Sequence, residues 1–185
     1  MGTNLIVLAA GQGTRMQSDT PKVLHKLAGR ELFAHALAAG AVLEPEATVL
    51  VVGAGAEALT EAAVAFDPEV KVAIQDPPQG TGDAVRFGLT SLDGAVGDTV
   101  VLYADTPFIQ PGTLDKMAAA RAAGHDVVVL GFQAADPARY GRLVMAGDVL
   151  ERIVEFKEAS HEERAITLCN SGVVMADIRV LSDLL

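Results

Sequence analysis

One cysteine, Cys169, stands among the 185 residues. A lone thiol closes neither an internal disulfide nor a cysteine-based zinc cluster, and this fits a reducing compartment. Cys169 lies in an apolar run, where a buried thiol is usually inert. Apolar runs are themselves short: none approaches the ~18 residues of a membrane-spanning helix. No basic stretch precedes the first of them, so the pattern of an export signal is missing and the expected location is the cytoplasm. Basic residues are scarce as well, with 14 Lys and Arg against 24 Asp and Glu, a formal charge of −10. Such a surface repels nucleic-acid backbones and anionic lipids, which excludes both as general partners. Any phosphate ligand must then be met by cations placed locally. Low-complexity tracts and internal repeats are also missing, and half of the residues are apolar, as in a single globular domain.

What is present is an alternation. Short β-rich apolar runs at residues 4–10, 47–52, 70–74, 99–104 and 127–132 alternate with stretches of helical period at 32–42, 56–66, 81–92 and 111–123. The last helix opens on Pro111 and stops at Gly124. This order predicts an α/β, Rossmann-like fold with a mainly parallel sheet and helices on both faces. The strand runs are continuously apolar, as expected where both faces are covered. After Pro137 the pattern changes to strands at 140–145, 149–156 and 167–175, with Gly147-Asp148 turning between the first two. A small antiparallel extension that helps form a ligand pocket accounts for this change without a second domain. Residues 158–164 are a charge run, read as a solvated helix.

The loop Gly11-Gln12-Gly13-Thr14-Arg15-Met16 follows the first strand directly, at the carboxyl end where open α/β sheets bind ligands. Glycines there let backbone N–H groups approach phosphate oxygens. Two common phosphate loops do not match. No Gly-Lys-Ser/Thr follows at the P-loop spacing. Met16 stands where the dinucleotide fingerprint needs its third glycine, and the second strand ends in Val51-Val52-Gly53 without an acid for the ribose.

The longer string Leu8-Ala9-Ala10-Gly11-x-Gly13-Thr14-Arg15-Met16, with Pro21-Lys22 downstream, resembles the signature of nucleotidyltransferases that make sugar nucleotides. Further strings extend the likeness over nearly the whole chain: Lys22-Val23-Leu24-His25, Gln79-Gly80-Thr81-Gly82, Leu102-Tyr103-Ala104-Asp105, Tyr140-Gly141-Arg142, Ile153-Val154-Glu155 and Asn170-Ser171-Gly172. In this order they resemble the pyrophosphorylase domain of the bacterial N-acetylglucosamine-1-phosphate uridyltransferases, within the MobA-like transferase superfamily.

The resemblance implies that residues 4–185 are a nucleotidyltransferase domain that uses Mg²⁺ to join UTP to N-acetylglucosamine 1-phosphate. The product would be UDP-N-acetylglucosamine, a precursor of peptidoglycan and lipopolysaccharide. Leu8, Ala9, Ala10, Gly11, Gly13 and Thr14 are implied to wrap the nucleotide, with Gln75, Gly80 and Thr81 at the uracil. Arg15 and Lys22 are the implied catalytic cations on the leaving pyrophosphate. Asp105 is the implied metal ligand, and Tyr103, Ala104, Gly141, Glu155 and Asn170 are the implied sugar contacts.

Each reading has a plain structural rival: an N-cap loop at Gly80-Thr81, a helix cap at Asp105, and an ion pair of Glu155 with Lys157 or Arg142. His25, His35, His125 and His161 lack metal spacing, and no serine has a nucleophile-elbow context. Ala104 departs from the family's glycine and questions any positive φ there, though a methyl group is expected to be tolerated. The family's catalytic half also runs beyond residue 185 to an asparagine that gives a second metal ligand, and its acetyltransferase β-helix lies further on. A weaker nucleotide-binding module, or transfer to another sugar phosphate, is therefore the alternative expectation.

Overall fold

A computed structural model describes residues 2–11, 13 and 16–185 of the chain. Arg15 and Thr14, singled out above, lie outside the described residues. In chain order the elements are β1 (Thr3–Leu8), β2 (Lys26–Leu27), β3 (Arg30–Glu31), α1 (Leu32–Gly40), β4 (Ala47–Gly53), α2 (Glu57–Phe66), β5 (Lys71–Gln75), α3 (Thr81–Thr90), β6 (Asp98–Tyr103) and α4 (Pro111–Ala122). There follow β7 (Val127–Gln133), β8 (Arg142–Ala146), β9 (Val149–Val154), α5 (His161–Arg164), β10 (Leu168–Asp177) and α6 (Ile178–Leu184). The chain divides into two compact units, one of residues 1–128 and 174–185, the other of residues 129–173. Among the described residues no helix is long and apolar enough to cross a membrane.

In the first unit β5, β4, β1 and β6 lie side by side, all parallel, and the end of β10 adds an antiparallel edge next to β6. β1 is central because its alternate side chains are apolar in both directions. Ile6 and Leu8 join a core with Val49, Val51, Val101 and Ala84, on the face that α3 and α6 cover. Leu5 projects to the other face, where Gly40 of α1 lets the helix approach it. The predicted α/β, mainly parallel architecture is the observed one. The chain leaves β1 for β4 on one side and returns to β6 on the other, so β1 and β6 flank the point where strand order reverses. Ligands of open α/β sheets bind at that point, beyond the carboxyl ends of the strands.

Two strands depart from the expectation of burial on both faces. In β5, α3 covers one side, but α2 packs over β4, and Ile74 stays 57% exposed. β7 is half-buried to exposed along its length. Its partner is β10, and within its unit the one helix among the described residues is the four-residue α5, which packs on β8.

In the second unit β8 pairs antiparallel with β9 across a turn at Gly147, whose φ is +64°, and β8 also pairs with β10 through Cys169 and Arg142. The hairpin β2–β3 was not anticipated. It turns on Ala28 and Gly29, both at positive φ.

Candidate active site

Three segments converge beyond the carboxyl ends of the parallel strands. After β1, the Ala9 N–H donates to the Val51 carbonyl at 2.7 Å and the Ala104 N–H donates to that of Leu8 at 2.9 Å. These bonds carry the sheet one step past β1 and hold the start of the glycine loop against β4 and β6. Gly53 faces this loop closely, since a Cβ there would lie 3.4 Å from the Ala10 carbonyl oxygen. Gly13 takes φ +59°, and a side chain at that position would collide with Lys22. The glycine thus lets the Lys22 stem run alongside the loop.

Lys22 begins a short 3-10 turn (Lys22–Leu24) anchored by buried Val23. Its Nζ donates to Oδ2 of Asp105 at 2.5 Å, with both side chains about one-third exposed. Asp105 follows β6, where the Thr106 hydroxyl and N–H both donate to the Tyr103 carbonyl and shape the turn. Ala104 is fully buried and outside the set of residues at positive φ, so the alanine fits this backbone without strain.

On the far side, β5 ends in Gln75, which is 3% exposed. Its Nε2 donates to the Gly80 carbonyl at 3.0 Å and to Oδ2 of Asp83 at 2.8 Å. Gly80, at φ +107°, is the N-cap of α3, and no side chain caps the helix there. The first-turn N–H groups of α3 therefore remain available as donors, and the helix dipole favours an anion beside them.

These segments enclose a cleft of about 320 Å³ lined by Leu8, Ala9, Ala10, Gly11, Gly13, Lys22, Gln75, Gly80, Thr81, Tyr103 and Asp105. Among the described residues, every nucleotide-directed residue named from the sequence lines it. Val23, Pro78 and Ala84 line it as well and were not foreseen. Asp83 was also missed; its only sequence signal is an acid in the first turn of a helix. Backbone donors and one ammonium group suit this cleft to a polyphosphate.

Among the described residues, no cluster of three or more His, Cys, Asp or Glu forms a metal cage. Asp105 is a single carboxylate, which suits an ion that takes most of its ligands from phosphates and water rather than one held by protein alone.

The residues expected at a sugar are divided between the units. Tyr103 and Ala104 belong to the first. In the second, Gly141, Glu155 and Asn170 come together: the Asn170 N–H donates to the Gly141 carbonyl at 2.8 Å, and a Cβ on Gly141 would lie 3.1 Å from Oε1 of Glu155. Asn170 Oδ1 accepts from the Gly172 N–H at 2.9 Å, leaving its NH₂ as a donor. Glu155 is exposed. Arg142 is buried and donates to the carbonyls of Pro137, Ala138, Tyr140 and Arg164. The ion-paired strand face considered for Glu155 and Arg142 does not form among the described residues.

Residues 5–171 match the family model described as MobA-like NTP transferase domain. The chain is similar to proteins described as bifunctional protein GlmU. It is 58% identical to that of Ruegeria pomeroyi over 181 residues, 98% of this chain and 40% of the relative. It is 59% identical to that of Dinoroseobacter shibae, with the same shares covered. The chain thus spans about two fifths of the length of these curated relatives. Among solved structures, a Bacillus anthracis protein assigned as a glucose-1-phosphate thymidylyltransferase superposes with a TM-score of 0.83 at 18% identity, covering 98% of this chain and 74% of that one. HddC from Yersinia pseudotuberculosis superposes with a TM-score of 0.72 at 20% identity, covering 97% and 79%. At these identities the two structures speak for the fold.

Proposed function

We propose a function from one premise: the chain belongs to the MobA-like NTP transferase domain family. Nucleotidyltransfer is the family's chemistry, and the reading proposed for this chain is uridylyl transfer from UTP to N-acetylglucosamine 1-phosphate, with Mg²⁺. The carrying observation is that the glycine loop, Lys22, Asp105 and the Gln75–Gly80–Thr81 corner line one cleft.

In this reading the phosphate oxygen of the sugar phosphate attacks the α-phosphorus of UTP in line, and pyrophosphate leaves. The acceptor is already an anion, so no general base is required. Transfer of this kind is mostly positioning plus electrostatic stabilisation. Leu8, Ala9, Ala10, Gly11, Gly13 and Thr14 wrap the triphosphate, and Lys22, with Arg15, balances charge growing on the leaving group. Asp105 holds the Mg²⁺, which when bound screens the repulsion between the two phosphates. Gln75, Gly80 and Thr81 take the base. Tyr103, Ala104, Gly141, Glu155 and Asn170 take the sugar, whose hydroxyl and N-acetyl groups need mixed donors and acceptors. The high identity to GlmU proteins supports these substrates over other sugar phosphates.

The test is pyrophosphate release with a panel of nucleoside triphosphates and sugar phosphates, with and without Mg²⁺. Release that needs UTP, N-acetylglucosamine 1-phosphate and the metal together is the expected result. Tight UTP binding without release under any pairing would make the chain a nucleotide-binding module instead. Faster release with another sugar phosphate would keep the enzyme and replace the acceptor.

A further inference from the structure

We propose that Asp83 sets the pyrimidine specificity of the cleft by pinning the side-chain amide of Gln75. The inference rests on the reading of Gln75 as a contact to the base.

Gln75 is almost fully buried, and its Nε2 donates to the Gly80 carbonyl at 3.0 Å and to Asp83 Oδ2 at 2.8 Å. An amide nitrogen carries two hydrogens, and both are spent on these bonds. Neither partner can reverse its role, because a carbonyl and a carboxylate have no hydrogen to give. The Gly80 carbonyl also accepts from the Ala84 N–H at 3.1 Å, so α3 itself fixes its position. Turning the amide over would set its oxygen against two oxygens, with two hydrogen bonds lost in a buried place. The amide therefore has one orientation, and its remaining capacity is the acceptor Oε1.

A fixed acceptor reads a ring N–H. Uracil carries a hydrogen on N3, whereas cytosine, of the same size, carries a lone pair there. An amide free to turn serves either base, and an amide held by Asp83 serves the first. Thymine shares the uracil edge, so the discrimination gained is against CTP and not against dTTP. Asp83 is a positioning residue in this account. Its signature is a change in the ratio of affinities rather than loss of binding alone.

The experiment measures the dissociation constants of UTP and CTP by calorimetry, with MgCl₂, on the whole chain as wild type, Asp83→Asn and Asp83→Ser. Asparagine can turn its own NH₂ toward Gln75, so that a reversed Gln75 amide would face one opposing oxygen, that of Gly80, in place of two. The UTP-over-CTP ratio is expected to fall about tenfold in Asp83→Asn, the worth of one misdirected hydrogen bond. A smaller fall in the same direction is expected in Asp83→Ser, which leaves Nε2 one partner short. Should one variant lack a cooperative melt, the other decides. An unchanged ratio in a folded variant overturns the role of Asp83 and leaves Gln75 as the base contact. A wild type that binds both nucleotides equally overturns the reading of Gln75, and this inference with it.

Discussion

The Lys22 ammonium lies 2.5 Å from the Asp105 carboxylate, joining the segment after β1 to the end of β6 across 83 positions of sequence. The cation proposed for the leaving pyrophosphate thus rests on the carboxylate proposed for the metal. A divalent ion and the ammonium must compete for Asp105 until a polyphosphate draws Lys22 away. Lys22→Ala is expected to tighten nucleotide-free Mn²⁺ binding several-fold while lowering pyrophosphate release by about a hundredfold or more. Electron paramagnetic resonance of Mn²⁺ and a release assay check the two halves. Both side chains are about one-third exposed, so the melt should move by no more than about 1 kcal/mol. Weaker Mn²⁺ binding in Lys22→Ala would remove Asp105 from the metal site.

Gly88 is where α3 meets the sheet. A Cβ there would lie 2.9 Å from Cγ2 of Ile6 and 3.2 Å from Cγ2 of Val51. Alanine would gain helix propensity of about 1 kcal/mol. It would also overpack the core beneath the cleft, at a cost of about 1–3 kcal/mol. Gly88→Ala is expected to be net destabilising by about 1 kcal/mol in urea unfolding, with UTP affinity falling as α3 lifts. A stabilised variant would mean that helix and sheet separate freely.

The alternation of apolar strands with helical stretches made the parallel sheet legible, because Leu5, Ile6, Val7 and Leu8 must be covered on both faces wherever they lie. The cleft was legible through Gly11, Gly13 and Asp105, which a strand-then-turn reading places at strand ends. Exposure was less so: Ile74 is as apolar as its buried neighbours, and what leaves it open is that α2 packs over β4. β2 and β3 hold two residues each, too few to show a period. The bonds of Lys22 with Asp105 and of Gln75 with Asp83 depend on elements meeting in space, which spacing along the chain does not encode.

Glu163 carries a pH dependence in the second unit. Ser160 caps α5, its hydroxyl accepting from the Glu163 N–H at 3.2 Å, while Glu163 Oε2 accepts from the Ser160 N–H at 2.7 Å. The Ser160 backbone N–H, and after it the Arg152 guanidinium, hold the Glu163 carboxyl below the usual carboxylate range. A lowered value in the folded state means that its stabilisation is complete above the ordinary carboxyl pKa of about 4.3 and is lost as the pH falls through the lowered one. Amide exchange of residues 160–164, corrected for its intrinsic pH dependence, should be flat from neutral pH down to about 5 and rise in more acid solution. In Glu163→Gln that acid step should vanish. A step that persists in this variant would assign it to another carboxyl.

Arg142, 1% exposed, meets carbonyl groups rather than a carboxylate: it donates to Ala138 at 3.1 Å and Arg164 at 3.2 Å, and also to Pro137 and Tyr140. The Phe156 ring lies 5.9 Å from its guanidinium carbon. One planar fork thus gathers the turn that leads into Gly141, the residue whose carbonyl accepts from Asn170. Arg142→Met keeps much of the volume but strips these carbonyls of a buried donor. The expected loss is about 2–4 kcal/mol of stability, read by denaturant unfolding. Arg142→Lys should recover little of it, since an ammonium cannot span the fork. Faster amide exchange should appear at Tyr140 and Gly141 before the rest of the chain. The Michaelis constant for the sugar phosphate should rise at least about tenfold, while the UTP dissociation constant stays within about twofold. Equal losses for both ligands would mean that Arg142 supports the fold as a whole, not the turn that presents Gly141.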